Sequence, residues 1–238
     1  MTKIMAHRGA SGLYPENTIL AFEKAAEMGA DAIETDVHLS KDGKLVICHD
    51  ESVLRTTGFD GLVCEMTYSE LSKLDAGFLK GHPGQRLPLL EDLLRIAAGN
   101  DMGVNIELKN NVFAYAGMEE KVIAALYDYG LEKRCILSSF NHRSMHRAKE
   151  IDPKIPVGLL YSCDLYEAQQ YAKSCGADAL HPQYGSVNAG MVQRAQEAGV
   201  AVNVWTVNTC KVIDDMLFAG VDNIITNYPD LVCPILFL

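Results

Sequence analysis

Acidic residues spaced so that they would share one face of a β-strand are the first feature of this 238-residue sequence that suggests a functional site. Glu34 and Asp36 lie two positions apart in one apolar stretch, and Glu107 lies in another. Residues two apart on a β-strand point to the same side, with Cα atoms about 6.5 Å apart. Acids that face one interior repel each other, and a bound divalent cation removes that repulsion. Without Cys or clustered His as partners, this donor set favours Mg²⁺ or Ca²⁺ over structural Zn²⁺.

Histidines and basic residues accompany these acids. His7 and Arg8 end the first apolar stretch, His49 ends a short one, and Lys109 follows Glu107 at same-face spacing. Two imidazoles can accept and donate protons, while a metal ion and basic side chains neutralise phosphoryl charge. The set therefore indicates phosphodiester cleavage. A simple ion-pair network around Lys109 is the alternative, but it leaves both histidines unexplained.

Strands that alternate with helices must position these side chains. Apolar runs predict eight strands near residues 4–7, 32–38, 104–109, 135–140, 157–161, 179–181, 202–207 and 223–226. Amphipathic stretches predict helices at residues 18–28, 89–98, 119–129, 143–150, 165–174, 189–198 and 211–219. The alternation predicts an α/β fold, a TIM (β/α)8 barrel formed by residues 1–238 as one domain. Chemistry in that fold lies at the carboxyl ends of the strands.

One stretch interrupts the alternation after the second strand, at about residues 40–86. Residues 44–49 predict an extra short strand, and residues 69–74 predict a short helix. We therefore expect a small insertion, about residues 51–87, that forms a wall or a lid of the site.

Composition restricts the partners. The formal net charge of −10 argues against nucleic acid and anionic membranes, because both require a basic surface. No segment reaches the ~18 apolar residues of a transmembrane span, and the N-terminus lacks the apolar core of a signal peptide. The seven Cys residues include no C-x-x-C pair, which predicts reduced thiols and a cytoplasmic protein. The apolar residues 235–238 are expected to pack against the barrel wall.

A series of motifs resembles the signatures of the glycerophosphodiester phosphodiesterase family, in order and over nearly the whole chain. The motifs are His7-Arg8-Gly9, Pro15-Glu16-Asn17-Thr18, Glu34-x-Asp36, His49-Asp50, Glu107-Leu108-Lys109, Trp205-Thr206-Val207-Asn208 and Thr226-Asn227-Tyr228-Pro229-Asp230. The resemblance implies metal-dependent hydrolysis of a small-molecule glycerophosphodiester to glycerol 3-phosphate and an alcohol. It also implies that the 2-hydroxyl of the glycerol attacks the phosphorus.

The resemblance further implies a role for each matching residue. The acid/base pair would be His7 and His49. The metal ligands would be Glu34, Asp36 and Glu107. The phosphate would be bound by Arg8 and Lys109, and the glycerol side would be lined by Trp205.

Several assignments stay open in the sequence. His181 ends a predicted strand, so it is a candidate for substrate binding or simply a strand end. Asn17 or Thr18 caps the first helix, and Glu16 is a candidate brace for Arg8. Two other functions compete: a related barrel phosphodiesterase acting on lysophospholipids or phosphoinositides, and a non-catalytic barrel that binds a phosphorylated ligand. The sequence does not indicate an oligomeric state.

Overall fold

A computed structural model describes the backbone of residues 2–236 and the side chains of residues 2–232. Its strands are β1 (Lys3–His7), β2 (Ala32–Leu39), β3 (Leu45–Ile47), β4 (Gly103–Leu108), β5 (Cys135–Ser139), β6 (Val157–Tyr161), β7 (Ala179–Pro182), β8 (Ala201–Val204) and β9 (Asn223–Thr226). All of them except β3 are parallel, and β1 pairs with both β2 and β9, which closes a barrel of eight strands. The predicted TIM barrel is confirmed.

Helices follow the strands and surround the barrel. They are α1 (Ile19–Glu27), α2 (Leu54–Thr57), α3 (Tyr68–Leu71), α4 (Leu90–Gly99), α5 (Met118–Asp128), α6 (His142–Ile151), α7 (Ala168–Ser174), α8 (Ala189–Glu197), α9 (Cys210–Ala219) and α10 (Pro229–Leu236). Helix α10, which packs on β1, was not predicted because its mostly apolar sequence has no clear polar face. The expected packing of residues 235–238 lies outside the described side chains.

The length of β2 positions part of the site. This strand has eight residues, more than any other described strand, so it extends past the barrel rim. Strand β3 pairs with the extension in antiparallel register, with Val37 opposite Ile47. The Cys48 N–H then donates to the Asp36 carbonyl at 3.1 Å. As a result, His49 returns to the mouth of the barrel.

The insertion after β2 is confirmed, and it has an apolar cluster of its own. The insertion contains the helices α2 and α3 and two 3₁₀ turns, Val63–Glu65 and Phe78–Lys80. The first turn and α3 contribute Val63 and Leu71 to the cluster. The buried members are Val46, Cys48, Val53, Val63, Leu71, Ala76 and Leu87. Because some members come from β3 and its flanks, the insertion is anchored to the strand that precedes His49.

Candidate active site

Three acidic side chains meet at the carboxyl end of the barrel. Glu34 and Asp36 come from β2 and Glu107 from β4, and the strand register places Asp36 beside Glu107. One carboxylate oxygen from each residue lies within 4.8 Å of those of the other two. The residues are 4%, 1% and 8% exposed, so water does little to screen their charges.

The electrostatics of this acidic triad indicate that a cation belongs there. Burial and the other two carboxylates raise the pKa of Glu34 well above its usual value. Burial and Asp36 likewise raise the pKa of Glu107 to about 7. Burial alone would also raise the pKa of Asp36, but the Arg8 and Lys109 cations hold it below its usual range.

Lys109 supplies only part of the missing positive charge. Its Nζ donates to Glu107 Oε1 at 2.9 Å and lies 3.7 Å from Asp36 Oδ1. That Asp36 oxygen is buried and accepts no hydrogen bond. An oxygen-liganded divalent cation fits this donor set, because it would satisfy the orphaned oxygen and stabilise all three carboxylates.

His7 lies beside the triad in a fixed orientation. Its Nδ1 donates to Asn227 Oδ1 at 2.6 Å, and its Nε2 is 3.9 Å from Glu34 Oε2. Burial and the nearby Arg8 charge lower the pKa of His7 to about 4. The neutral ring therefore turns the lone pair of Nε2 towards the acids.

His49 is held differently, at the more open side of the site. Its Nδ1 donates to Asp50 Oδ1 at 2.6 Å, and its side chain is 30% exposed. The backbone carbonyl of His49 accepts from Nε2 of the buried His38 at 3.3 Å, while His38 Nδ1 lies 3.1 Å from the Tyr115 hydroxyl. His38 thus supports the backbone at His49.

Arg8 connects the first strand to the triad. Its backbone has a left-handed φ of 56°, and its N–H lies 3.0 Å from Glu34 Oε2. The guanidinium Nη1 donates to Glu16 Oε1 at 2.9 Å, and Nε lies 3.4 Å from Asp36 Oδ2. Glu16 therefore does brace Arg8.

Asn17 proves to be part of the site rather than the helix cap. The cap of α1 is Thr18, whose hydroxyl accepts from the Ala21 N–H. Asn17 donates from Nδ2 to Asp36 Oδ2 at 2.9 Å and accepts from the Thr35 hydroxyl at 2.9 Å. Its position directly before the cap concealed this role in the sequence.

A small cavity of about 80 Å³ opens at the mouth. It is lined by His7, Arg8, Glu34, His49, Asn105, Glu107, Ser138, Phe140, Leu160, Trp205, Thr206 and Ile225. The ring of Trp205 meets that of Phe140 edge-on, with centroids 5.8 Å apart. The sequence had indicated Trp205 but not Phe140, which follows β5 and adds to the apolar wall.

The structure does not bring His181 to this cavity. The ring is fully buried inside the barrel, where Nε2 accepts from Asn203 Nδ2 at 2.8 Å. Burial lowers the pKa of His181 to about 3, so the ring is neutral. Its contribution is indirect, since its carbonyl accepts from Trp205 Nε1 at 2.7 Å.

A wider basin of about 640 Å³ lies at the opposite, amino end of the barrel. Its most regular feature is three aspartates, Asp31, Asp178 and Asp222, which follow similar Gly-containing turns. Their carboxylates accept, each at 2.8 Å, from the backbone N–H groups of Ile4, Val157 and Val202. These aspartates anchor strand ends, so we assign the chemistry to the smaller cavity.

Comparison with known proteins agrees with this geometry. The model of the glycerophosphoryl diester phosphodiesterase family matches residues 7–231. The chain belongs to this family. It is 44% identical to the glycerophosphodiester phosphodiesterase of Caldanaerobacter subterraneus, covering 96% of this chain and 95% of that protein. The corresponding Bacillus altitudinis enzyme is 40% identical, with 97% and 96% covered.

Solved structures share the fold over the whole length. An Oleispira antarctica phosphodiesterase in complex with its product, sn-glycerol 3-phosphate, has a TM-score of 0.89 and 30% identity, covering 100% of this chain and 98% of that one. A glycerophosphodiester phosphodiesterase from Agrobacterium tumefaciens has a TM-score of 0.86 and 30% identity, with 98% and 100% covered. Among the described residues, no helix combines the length and apolar character that crossing a membrane requires.

Proposed function

We propose that this protein is a divalent-metal-dependent phosphodiesterase that hydrolyses glycerophosphodiesters to glycerol 3-phosphate and an alcohol. The observation that carries the proposal is one cavity lined by two oriented imidazoles and by Glu34 and Glu107 of the buried acidic triad. The family, its curated relatives and the product held by the Oleispira enzyme support this substrate class.

Glu34, Asp36 and Glu107 would hold the metal. We propose Mg²⁺ or Ca²⁺, because the three ligands offer only carboxylate oxygens. When bound, such a cation supplies Lewis-acid stabilisation of phosphoryl charge. Arg8 and Lys109 flank the triad and would bind the non-bridging phosphate oxygens. Lys109 would then exchange part of its contact with Glu107 for the substrate.

The two histidines would divide the proton transfers. We assign the base to His7, because its ring is neutral and Asn227 fixes the Nδ1–H tautomer, leaving Nε2 to accept a proton. We assign the acid to His49, because the Asp50 carboxylate stabilises the imidazolium that donates from Nε2 to the leaving oxygen.

The aromatic wall would receive the glycerol. Trp205 and Phe140 meet edge-on beside the cavity and offer an apolar face to the carbon skeleton. Since the cavity measures only about 80 Å³, it favours glycerol over a larger group at this position.

The cytoplasm is the compartment we propose. The six described cysteines that the structure leaves as free thiols, including the exposed Cys163 and Cys210, suit a reducing environment. Recovery of the protein in the cytoplasmic fraction, with all thiols titratable after denaturation, would support this assignment.

A substrate panel with and without metal tests the function. Glycerophosphocholine, glycerophosphoethanolamine and lysophosphatidylcholine would be assayed after dialysis against EDTA, then with Mg²⁺ or Ca²⁺ added. We expect turnover of the two glycerophosphodiesters to disappear with chelation and to return with metal. Full turnover in EDTA would refute metal dependence, and turnover of the lysophospholipid alone would favour the competing function.

Two variants test the proposed metal ligands in the same assay. Glu34→Gln should abolish metal-dependent turnover, because it removes a charged ligand from the triad. Glu119→Gln is the matched control, since Glu119 is also buried but accepts from Ser144 and Asn110 outside the triad. Equal loss in both variants would assign the effect to folding rather than to metal binding.

A further inference from the structure

The insertion contributes one side chain that connects both sides of the site. Arg55, on α2, donates from Nε to Asp50 Oδ2 at 2.6 Å. It also donates from Nη1 and Nη2 to the two oxygens of Glu16, each at 2.8 Å. Asp50 in turn holds the ring of His49, and Glu16 holds Arg8. The Arg55 guanidinium therefore contacts both the carboxylate that holds His49 and the carboxylate that holds Arg8.

The geometry makes Arg55 a support rather than a ligand for substrate. Three of its N–H groups are directed at two carboxylates, and it is not among the residues that line the cavity. The contacts are bidentate with Glu16, which fixes the plane of the guanidinium. The side chain is 47% exposed, so packing alone does not account for its orientation.

The charges along this chain of contacts are mutually compensated. Burial alone would raise the pKa of Asp50, but hydrogen bonds from Arg55 and His49 lower it below its usual value. Hydrogen bonds to Glu16 and Asp50 raise the pKa of Arg55. Asp50 thus stays ionised and oriented, which is the state in which it can hold the imidazole of His49.

We infer that Arg55 is a positioning residue for catalysis, acting on proton donation by His49 through Asp50, with Glu16 as its anchor. The inference rests on the proposed function and extends it, because it makes the insertion part of the catalytic apparatus. Loss of Arg55 leaves Asp50 free to rotate away from Nδ1, so the His49 ring loses its fixed orientation. Proton transfer to the leaving oxygen then slows, while substrate binding by Lys109 and the metal site is retained.

The test compares Arg55→Met and Arg55→Lys with the wild type on glycerophosphocholine. We expect Arg55→Met to lower kcat about 10- to 100-fold, part of the ~10²-fold or more that a positioned acid contributes, with KM changed less than about 3-fold. Arg55→Lys should recover part of kcat, because a point charge can pair with Asp50 but cannot also form the fork with Glu16. Thermal unfolding of each variant checks the fold.

Two further readouts separate positioning from a general structural effect. On a glycerophosphodiester with a p-nitrophenol leaving group, the deficit of Arg55→Met should shrink, since that group departs with little proton donation. In a His49→Asn background, Arg55→Met should cost little more, because residues that act as a unit are not additive. Arg86→Met is the matched control: Arg86 is similarly exposed, at 55%, pairs with Asp92 at 3.1 Å and belongs to the same insertion. It should retain wild-type turnover.

Each outcome bears on the inference separately from the function. Wild-type turnover in Arg55→Met would overturn the inference while leaving the proposed function intact. An undiminished loss in the His49→Asn background, or with the acidic leaving group, would overturn it as well. Absence of turnover in the wild type on every diester would refute the proposed function itself, and the inference with it.

Discussion

Replacing Glu107 by Gln should change how the stability of the metal-free protein depends on pH. The pKa of Glu107 is about 7 in the folded protein, against 4.5 for a free glutamate. Between these values the unfolded chain loses the proton while the folded protein keeps it. The free energy of unfolding contributed by this group therefore falls as pH rises from about 4.5, and the loss is complete above about 7. Gln carries no such charge, so the variant lacks this decline.

The magnitude follows from the difference in pKa. At about 1.4 kcal/mol per pKa unit, the decline amounts to at most about 3–4 kcal/mol, part of which Glu34 shares through coupling. Urea unfolding in EDTA, at pH 4.5 to 8, should show the stability difference between variant and wild type growing by roughly this amount. Taking the difference in the free energy of unfolding between the two proteins cancels the contributions of the buried histidines, His7, His38 and His181. Their pKa values are lowered, so their contributions change with pH in the opposite direction.

A divalent cation should narrow the stability difference between the two proteins. Metal bound to the folded wild type stabilises it by about 2.7 kcal/mol at a concentration 100-fold above Kd, and Glu107→Gln, lacking one charged ligand, should gain less. Glu119→Gln is the control and should respond to metal as the wild type does. A stability difference for Glu107→Gln that is constant across pH, or that metal does not alter, would refute this view of the triad.

The remaining predictions concern the chemical step. His7→Ala and His49→Ala should each lower turnover at least ~10²-fold, the scale of a positioned acid or base, and calorimetric titration should show metal binding retained. The p-nitrophenol leaving group should rescue His49→Ala but not His7→Ala, and the opposite pattern would exchange their roles. A diester of 1,3-propanediol, which lacks the 2-hydroxyl, should bind but turn over very slowly, because an intramolecular nucleophile can have an effective concentration of ~10⁵ M or more. Its hydrolysis at the rate of the natural diester would indicate direct attack by water or a phosphohistidine.

The elements of the fold were largely evident in the sequence because their signals are local. Each barrel strand lies where an apolar run predicted it, with bounds that differ by a few residues. The same-face pair Glu34 and Asp36 follows from the two-residue period of a strand. The antiparallel direction of β3 was not predictable, because it depends on how far β2 extends past the rim, which the neighbouring strands determine.

Only the tertiary structure decided how deeply each site side chain is buried in the barrel and which distant residue it contacts. His181 was a candidate for substrate binding because it ends a predicted strand, yet its ring is buried inside the barrel, in contact with Asn203. His7 takes its orientation from Asn227, 220 positions away, and Arg55 meets Glu16 across 39 positions. A sequence specifies residue types and local periods, whereas contacts between such distant positions arise only when barrel closure brings the strand ends together. The residue types that could perform the chemistry were therefore evident in the sequence, whereas the orientation of His7 and His49 was set by the fold.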